Sequence, residues 1–151
     1  MKIIYSCFGG AHSSIVTSGI HMGYLPMNSS ATTEEILTTP FYDKAPNIEV
    51  GKPLYMGKDK KNYSIYAMGM GHARNYYTKM LYEFYNEITY NHKKDIIFIN
   101  VTSLLNNYTR LGGFMSRRLN IVPLGRPLTV YGIKRNYNQF IELVQNVKET
   151  I

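Results

Sequence analysis

The stretch from Ile3 to Ser14, Ile-Ile-Tyr-Ser-Cys-Phe-Gly-Gly-Ala-His-Ser-Ser, constrains the fold of this chain more than any other. A short apolar run leads into the only cysteine, then two adjacent glycines, then two hydroxyl residues able to open a helix. Strand, glycine turn and helix N-terminus in succession aim several backbone N–H groups at one point, the usual way a backbone receives an anion. Gly9 and Gly10 lack a Cβ, so the chain can turn sharply there and approach a ligand closely. Ser13 and Ser14 can cap the helix or hydrogen-bond an anion's oxygens.

With 151 residues, 44% hydrophobic and 18% charged, the chain suits one soluble domain, residues 1–151, with a sizeable core. One cysteine excludes an internal disulfide. The opening segment lacks the form of a signal peptide, and no window offers the roughly 20 apolar residues of a membrane helix. The expectation is a cytoplasmic protein without membrane association.

The formal charge of +7 is unevenly placed. Residues 3–33 carry no charged side chain, whereas 96–141 hold no acid but contain Arg110, Arg117, Arg118, Arg126, Lys134 and Arg135. Such a run is commonly a solvated basic face. It also suits a C-terminal third that lends positive charge to an uncharged anion loop. Nucleic acid ranks third: 14 tyrosines on a basic surface could hold a single strand, but nothing gathers them into one groove.

Along the chain, Lys2–Cys7 reads as a buried strand, followed by a helix over Ser13–Met22 that Gly23 ends. Thr32 and Glu35 form a capping-box pattern opening a short helix that must stop before Pro40. Residues 41–53 read as a loop. Leu54–Lys58 and Tyr63–Met68 predict a hairpin around Asp59-Lys60-Lys61-Asn62. A helix over His72–Glu87 carries a stripe of Tyr77, Met80, Leu81, Phe84 and Ile88, which its spacing assigns to the core. Asp95–Val101 reads as a buried strand. Thr102–Asn120 reads as partly helical with a break at Gly112-Gly113, Leu128–Ile133 as a further strand, and Tyr137–Lys148 as a closing helix. Lys2–Cys7, Asp95–Val101 and Leu128–Ile133, separated by helical segments, predict a three-layer α/β domain with a mostly parallel sheet, the hairpin adding an antiparallel edge. Its ligand belongs at the carboxyl ends of the parallel strands, where Cys7 and Asn100–Ser103 meet.

Cys7 is the candidate nucleophile, since a helix N-terminus lowers a thiol's pKa; a small buried hydrophobe at a strand end is the plainer reading. His12, five residues on, can pair with a thiolate or a bound anion. Gly9, Gly10, Ser13 and Ser14 would cradle the ligand. Gly112-Gly113 before Arg117-Arg118 suggests a segment closing over it, with Arg110, Arg117 and Arg118 as binding residues. One cysteine and four scattered histidines offer no metal-ligand spacing, and no cofactor motif is present: Walker, dinucleotide and serine-hydrolase signatures are all missing.

The loop resembles that of low-molecular-weight tyrosine phosphatases and related arsenate reductases, with Cys7, Gly9 and Ser14 in frame. Ser13 stands where their arginine would be. It is similar also to the cysteine-phosphorylated IIB domains of sugar phosphotransferase systems, through Cys7, Gly10, Ser13 and Ser14. A phosphatase needs a general acid, and no Asp follows Asp95. Over the whole chain, the opening residues, Tyr55-Met56-Gly57 and Arg110–Arg118 resemble an uncharacterised domain family of Gram-positive spore-forming bacteria, which implies no activity. The reading is a protein that binds a phosphorylated or anionic small molecule, with phosphoryl-transfer or hydrolase chemistry through Cys7. A non-catalytic regulatory or interaction protein is the alternative, and the oligomeric state is left open.

Overall fold

The computed structural model describes residues 1–44, 51–72, 74–88 and 95–151. Strand β1 (Lys2–Cys7) lies between β3 (Ser64–Gly69) and β4 (Ile96–Asn100), parallel to both, while β2 (Pro53–Lys58) adds an antiparallel edge beside β3. The order β2-β3-β1-β4 is an α/β sheet, mostly parallel, with the expected hairpin at one side. The chain leaves β1 to one side and later crosses to the other, so the carboxyl end of β1 is a topological switch point, the place where such sheets bind ligands.

Alternation along β1 explains the two layers that cover it. Ile3, Tyr5 and Cys7 point into the main core, which includes Ile15, Val16 and Ile20 of α1 (Ser13–Met22). Val130 and Ile133 of α5 (Val122–Arg135) and Phe140 and Val144 of α6 (Tyr137–Thr150) complete it. Ile4 points the other way, into a smaller cluster with Met68 and Met70 that Leu81 of α3 (Arg74–Ile88) packs against. Gly23 ends α1 in the left-handed conformation, and the Thr32–Glu35 capping box opens α2 (Thr33–Thr38) as its sequence dictates.

Four expectations are corrected. Leu128–Ile133 is not a strand but the interior of α5, and β3 takes its place as the third parallel strand. Its β-branched residues mislead locally. Thr129, Val130 and Ile133 are buried at helical spacing, and Gly125 and Gly132, two turns apart, bring α5 against α4 (Asn107–Arg117). Gly112-Gly113 does not break α4, which runs through both. A Cβ on Gly112 would stand 2.6 Å from Gly125 O, so glycine here serves a close helix crossing. Among the described side chains of the α3 stripe, Tyr77, Met80 and Phe84 are exposed rather than core, and Leu81 packs against the small cluster on this sheet face. Strand β4 is half-buried, being an edge strand. Residues 45–50 of the expected 41–53 loop lie outside the described residues.

Candidate functional site

The loop after β1 folds back over its own strand. Gly10 takes φ 70°, and its N–H donates to Cys7 Sγ at 3.1 Å. Ser14 Oγ, from the second residue of α1, lies 3.3 Å from the same sulfur. Beside it, β3 ends in Gly69, where a Cβ would press on the Gly9 backbone at 3.0 Å. Met70 and Gly71 then donate to the carbonyls of Cys7 and Phe8. The sulfur is thus buried, held by a backbone donor and a hydroxyl at the N-terminus of α1.

His12 is the N-cap residue of α1, and neither Ser13 nor Ser14 caps it by a side chain. Ser14 is spent on the sulfur. Ser13 Oγ is buried, its residue 1% exposed, and among the described residues it has no hydrogen-bond partner. The His12 Nε2 atom meets Asp43 Oδ1 at 2.9 Å. Asp43 also accepts from Ser116 Oγ of α4 and, at 2.9 Å, from Arg126 Nε of α5. Burial alone pushes the Asp43 carboxyl up, but the His12 hydrogen bond and charge, with Arg126 and Ser116, hold it well below the usual carboxylate range. As a carboxylate it accepts, so His12 Nε2 donates and Nδ1 is the ring atom free to take or give a proton. That Nδ1 sits about 3.5 Å from where a Gly113 Cβ would stand.

Helix α4 and the loop enclose a cleft of about 490 Å³. Cys7, Gly9, His12 and Ser13 form its floor, and Arg110, Arg117 and Arg118 line it from α4 and the residue that ends it. Arg110 and Arg117 are seven residues apart, two turns, and so share one face of α4. Phe8, Leu105 and Phe114 supply apolar wall, with the polar side chains of His72 and Thr109 between them. Gly10 and Ser14 stand behind the floor, turned to the sulfur. Asn100–Ser103 does not line the cleft; Val101 N instead donates to Ser6 O, joining β4 to the base of the loop. Arg126, also basic, is committed to Asp43.

Asp43 is the functional residue that the sequence alone does not disclose. It lies in a loop of mixed charge, 31 residues from His12, and its left-handed backbone (φ 51°) has no sequence signature beyond aspartate's tolerance for it. Among the described residues there is no cluster of three metal-ligating side chains, and no helix is long and apolar enough to cross a membrane.

Sheet order and loop define an α/β protein that carries a cysteine and a helix N-terminus at its switch point. The chain belongs to a family described as a protein of unknown function, DUF3189, whose model matches residues 2–149. No curated protein and no solved structure matched it.

Proposed function

We propose that this chain binds a phosphorylated or otherwise anionic small ligand over the Cys7–Ser14 loop, in the cytoplasm. The observation that carries the reading is the buried, unpartnered Ser13 Oγ at the N-terminus of α1, on the floor of a cleft that Arg110, Arg117 and Arg118 line. An oxyanion there would give Ser13 its missing partner and meet the positive end of a ten-residue helix. The loop's resemblance to phosphatase and IIB cysteine loops agrees with this placement.

The same groups suit phosphoryl transfer. Cys7 thiolate would attack phosphorus, forming an S–P bond as the ester P–O bond breaks and its electron pair leaves with the oxygen. His12, protonated at Nδ1, would give that oxygen its proton. Water would then attack the phosphocysteine, His12 taking the water's proton as the thiolate returns. A non-catalytic interaction protein is the second reading, favoured by the exposed Tyr76, Met80 and Phe84 on α3.

The test is a calorimetric titration with inorganic phosphate, with protection of Cys7 from alkylation locating the bound ion. Arg118→Ala should weaken phosphate about tenfold or more, the value of one charge-assisted contact of roughly 1.5–3 kcal/mol. Arg135→Ala should change little, because Arg135 stacks on Tyr108 and Tyr131 instead. Absence of phosphate binding or of Cys7 protection overturns the reading. Equal, salt-sensitive losses at both arginines, seen with a single-stranded oligonucleotide, would replace it with a diffuse nucleic-acid surface.

A further inference from the structure

The cleft is far larger than the anion its floor can hold. Its volume of about 490 Å³ falls in the range that encloses a whole small organic molecule. The floor offers a single cradle: one orphaned hydroxyl and one helix N-terminus. The remaining space is room for a part of the ligand that is not phosphate. Its walls identify that part.

Two aromatic rings stand at the cleft on different elements. Phe8 comes from the loop and Phe114 from α4, and they are 37% and 52% exposed. Neither is taken up by the core. Phe8 is braced edge-on by His72, ring centroids 4.7 Å apart, so its orientation is set before a ligand arrives. Leu105 and Ala11 add aliphatic wall, and no acid lines the cleft among the described residues. Above the floor, Thr109 Oγ1 already donates to Asn106, and Phe8, Phe114, Leu105 and Ala11 offer no hydroxyl partner, which leaves only His72 and the guanidiniums for a polyol or sugar. Flat π-surfaces and guanidinium planes are what an aromatic ring stacks on.

Resting on the anion-site reading, we infer that the ligand is an organophosphate whose organic part is a planar aromatic ring. Its phosphate lies over Ser13 and its ring lies against Phe8 and Phe114. A nucleoside monophosphate and an aryl phosphate share this chemistry.

Phosphonates, whose P–C bond resists hydrolysis, separate binding from any turnover. Inorganic phosphate, methylphosphonate, benzylphosphonate and the phosphonate analogue of adenosine monophosphate would be titrated by calorimetry into wild type, Phe8→Ala and Phe114→Ala. Both phenylalanines are partly exposed, so the variants should fold, with thermal melting as the check. The aromatic phosphonates should bind wild type about tenfold or more tighter than methylphosphonate, the scale of one stacking contact. Each variant should lose much of that advantage while keeping its affinity for inorganic phosphate. A tighter adenosine compound would mark a nucleotide source, and a tighter benzylphosphonate an aryl phosphate; either supports the inference. If phosphate and all phosphonates bind alike, the aromatic inference falls and the anion site stands. If inorganic phosphate itself fails to bind, the anion site falls and takes this inference with it.

Discussion

Helix α1 carries a buried histidine near each end, both paired to an aspartate, yet the two pairs are built to opposite effect. His21, in the last turn, has both nitrogens engaged: Nδ1 with Tyr5 Oη at 2.7 Å and Nε2 with Asp59 Oδ2 at 3.1 Å. Asp59 also accepts from the backbone of Lys61 and Tyr63, so this chain of bonds pins the β2–β3 turn to β1 and α1. His12, at the other end, has one nitrogen on Asp43 and leaves Nδ1 without a partner among the described residues, beside a cleft. A closed chain of buried hydrogen bonds rigidifies; one with a free end holds a group ready to act. The same residue pair is structural at one end of the helix and a candidate for chemistry at the other.

The sharpest way to test the contrast is to remove each aspartate. Asp43→Ala strips His12, Ser116 and Arg126 of a shared buried partner and should cost about 3–5 kcal/mol in urea unfolding. It should also abolish phosphate binding, since α4 and the loop lose their tie. Asp59→Ala removes a largely buried acceptor from the β2–β3 turn and should cost about 1–3 kcal/mol, less than Asp43→Ala, with phosphate affinity unchanged. Equal losses of stability and of binding in the two variants would dissolve the distinction.

Acid should separate the pairs next. Burial pushes the His21 pKa down, with the Lys148 charge adding to it, against the opposing Asp59 hydrogen bond and charge. The folded state therefore holds this imidazole neutral while the unfolded chain takes up a proton. Stability is full above the unfolded value of about 6.5 and falls as pH drops toward the lower folded value. Asp43 and Asp59 are held below the usual carboxylate range, so their contributions are lost in a second, more acidic window, below about pH 4. Urea midpoints against pH should show both steps in wild type, and His21→Gln should lose the upper one alone. Retention of the upper step in that variant would assign it elsewhere.

The parts legible in the sequence were those fixed by local chemistry. Lys2–Cys7, the glycine turn, the helix closed by Gly23 and the Thr32–Glu35 box each carry their reason within a few residues. What escaped was set by distant partners. Leu128–Ile133 has the composition of a strand but is helical because Gly125 and Gly132 pack on α4. Gly112 and Gly113 look like a break, and nothing local reveals that α5 needs the space. Asp43 joins the site only because loop, α4 and α5 converge on one carboxylate.

The smallest expected effect discriminates most finely, because it moves stability and function in opposite directions. Gly113 lies inside α4, and the nearest atoms a Cβ there would meet are His12 Nδ1 at 3.5 Å and Cε1 at 3.7 Å. Those are ordinary contacts, so Gly113→Ala should stabilise the helix by roughly 0.5–1 kcal/mol through the lost freedom of glycine in the unfolded chain. The new methyl would nevertheless cover the one imidazole nitrogen that faces the cleft. Phosphate binding should weaken roughly threefold to tenfold, the worth of a single hydrogen bond. Gly112→Ala is the control: its methyl would meet Gly125 O and Thr129 N at 2.6 Å, so it should lower the urea midpoint instead. If Gly113→Ala raises the midpoint and leaves phosphate affinity untouched, His12 Nδ1 takes no part in holding the anion, and His12 joins His21 as a structural residue.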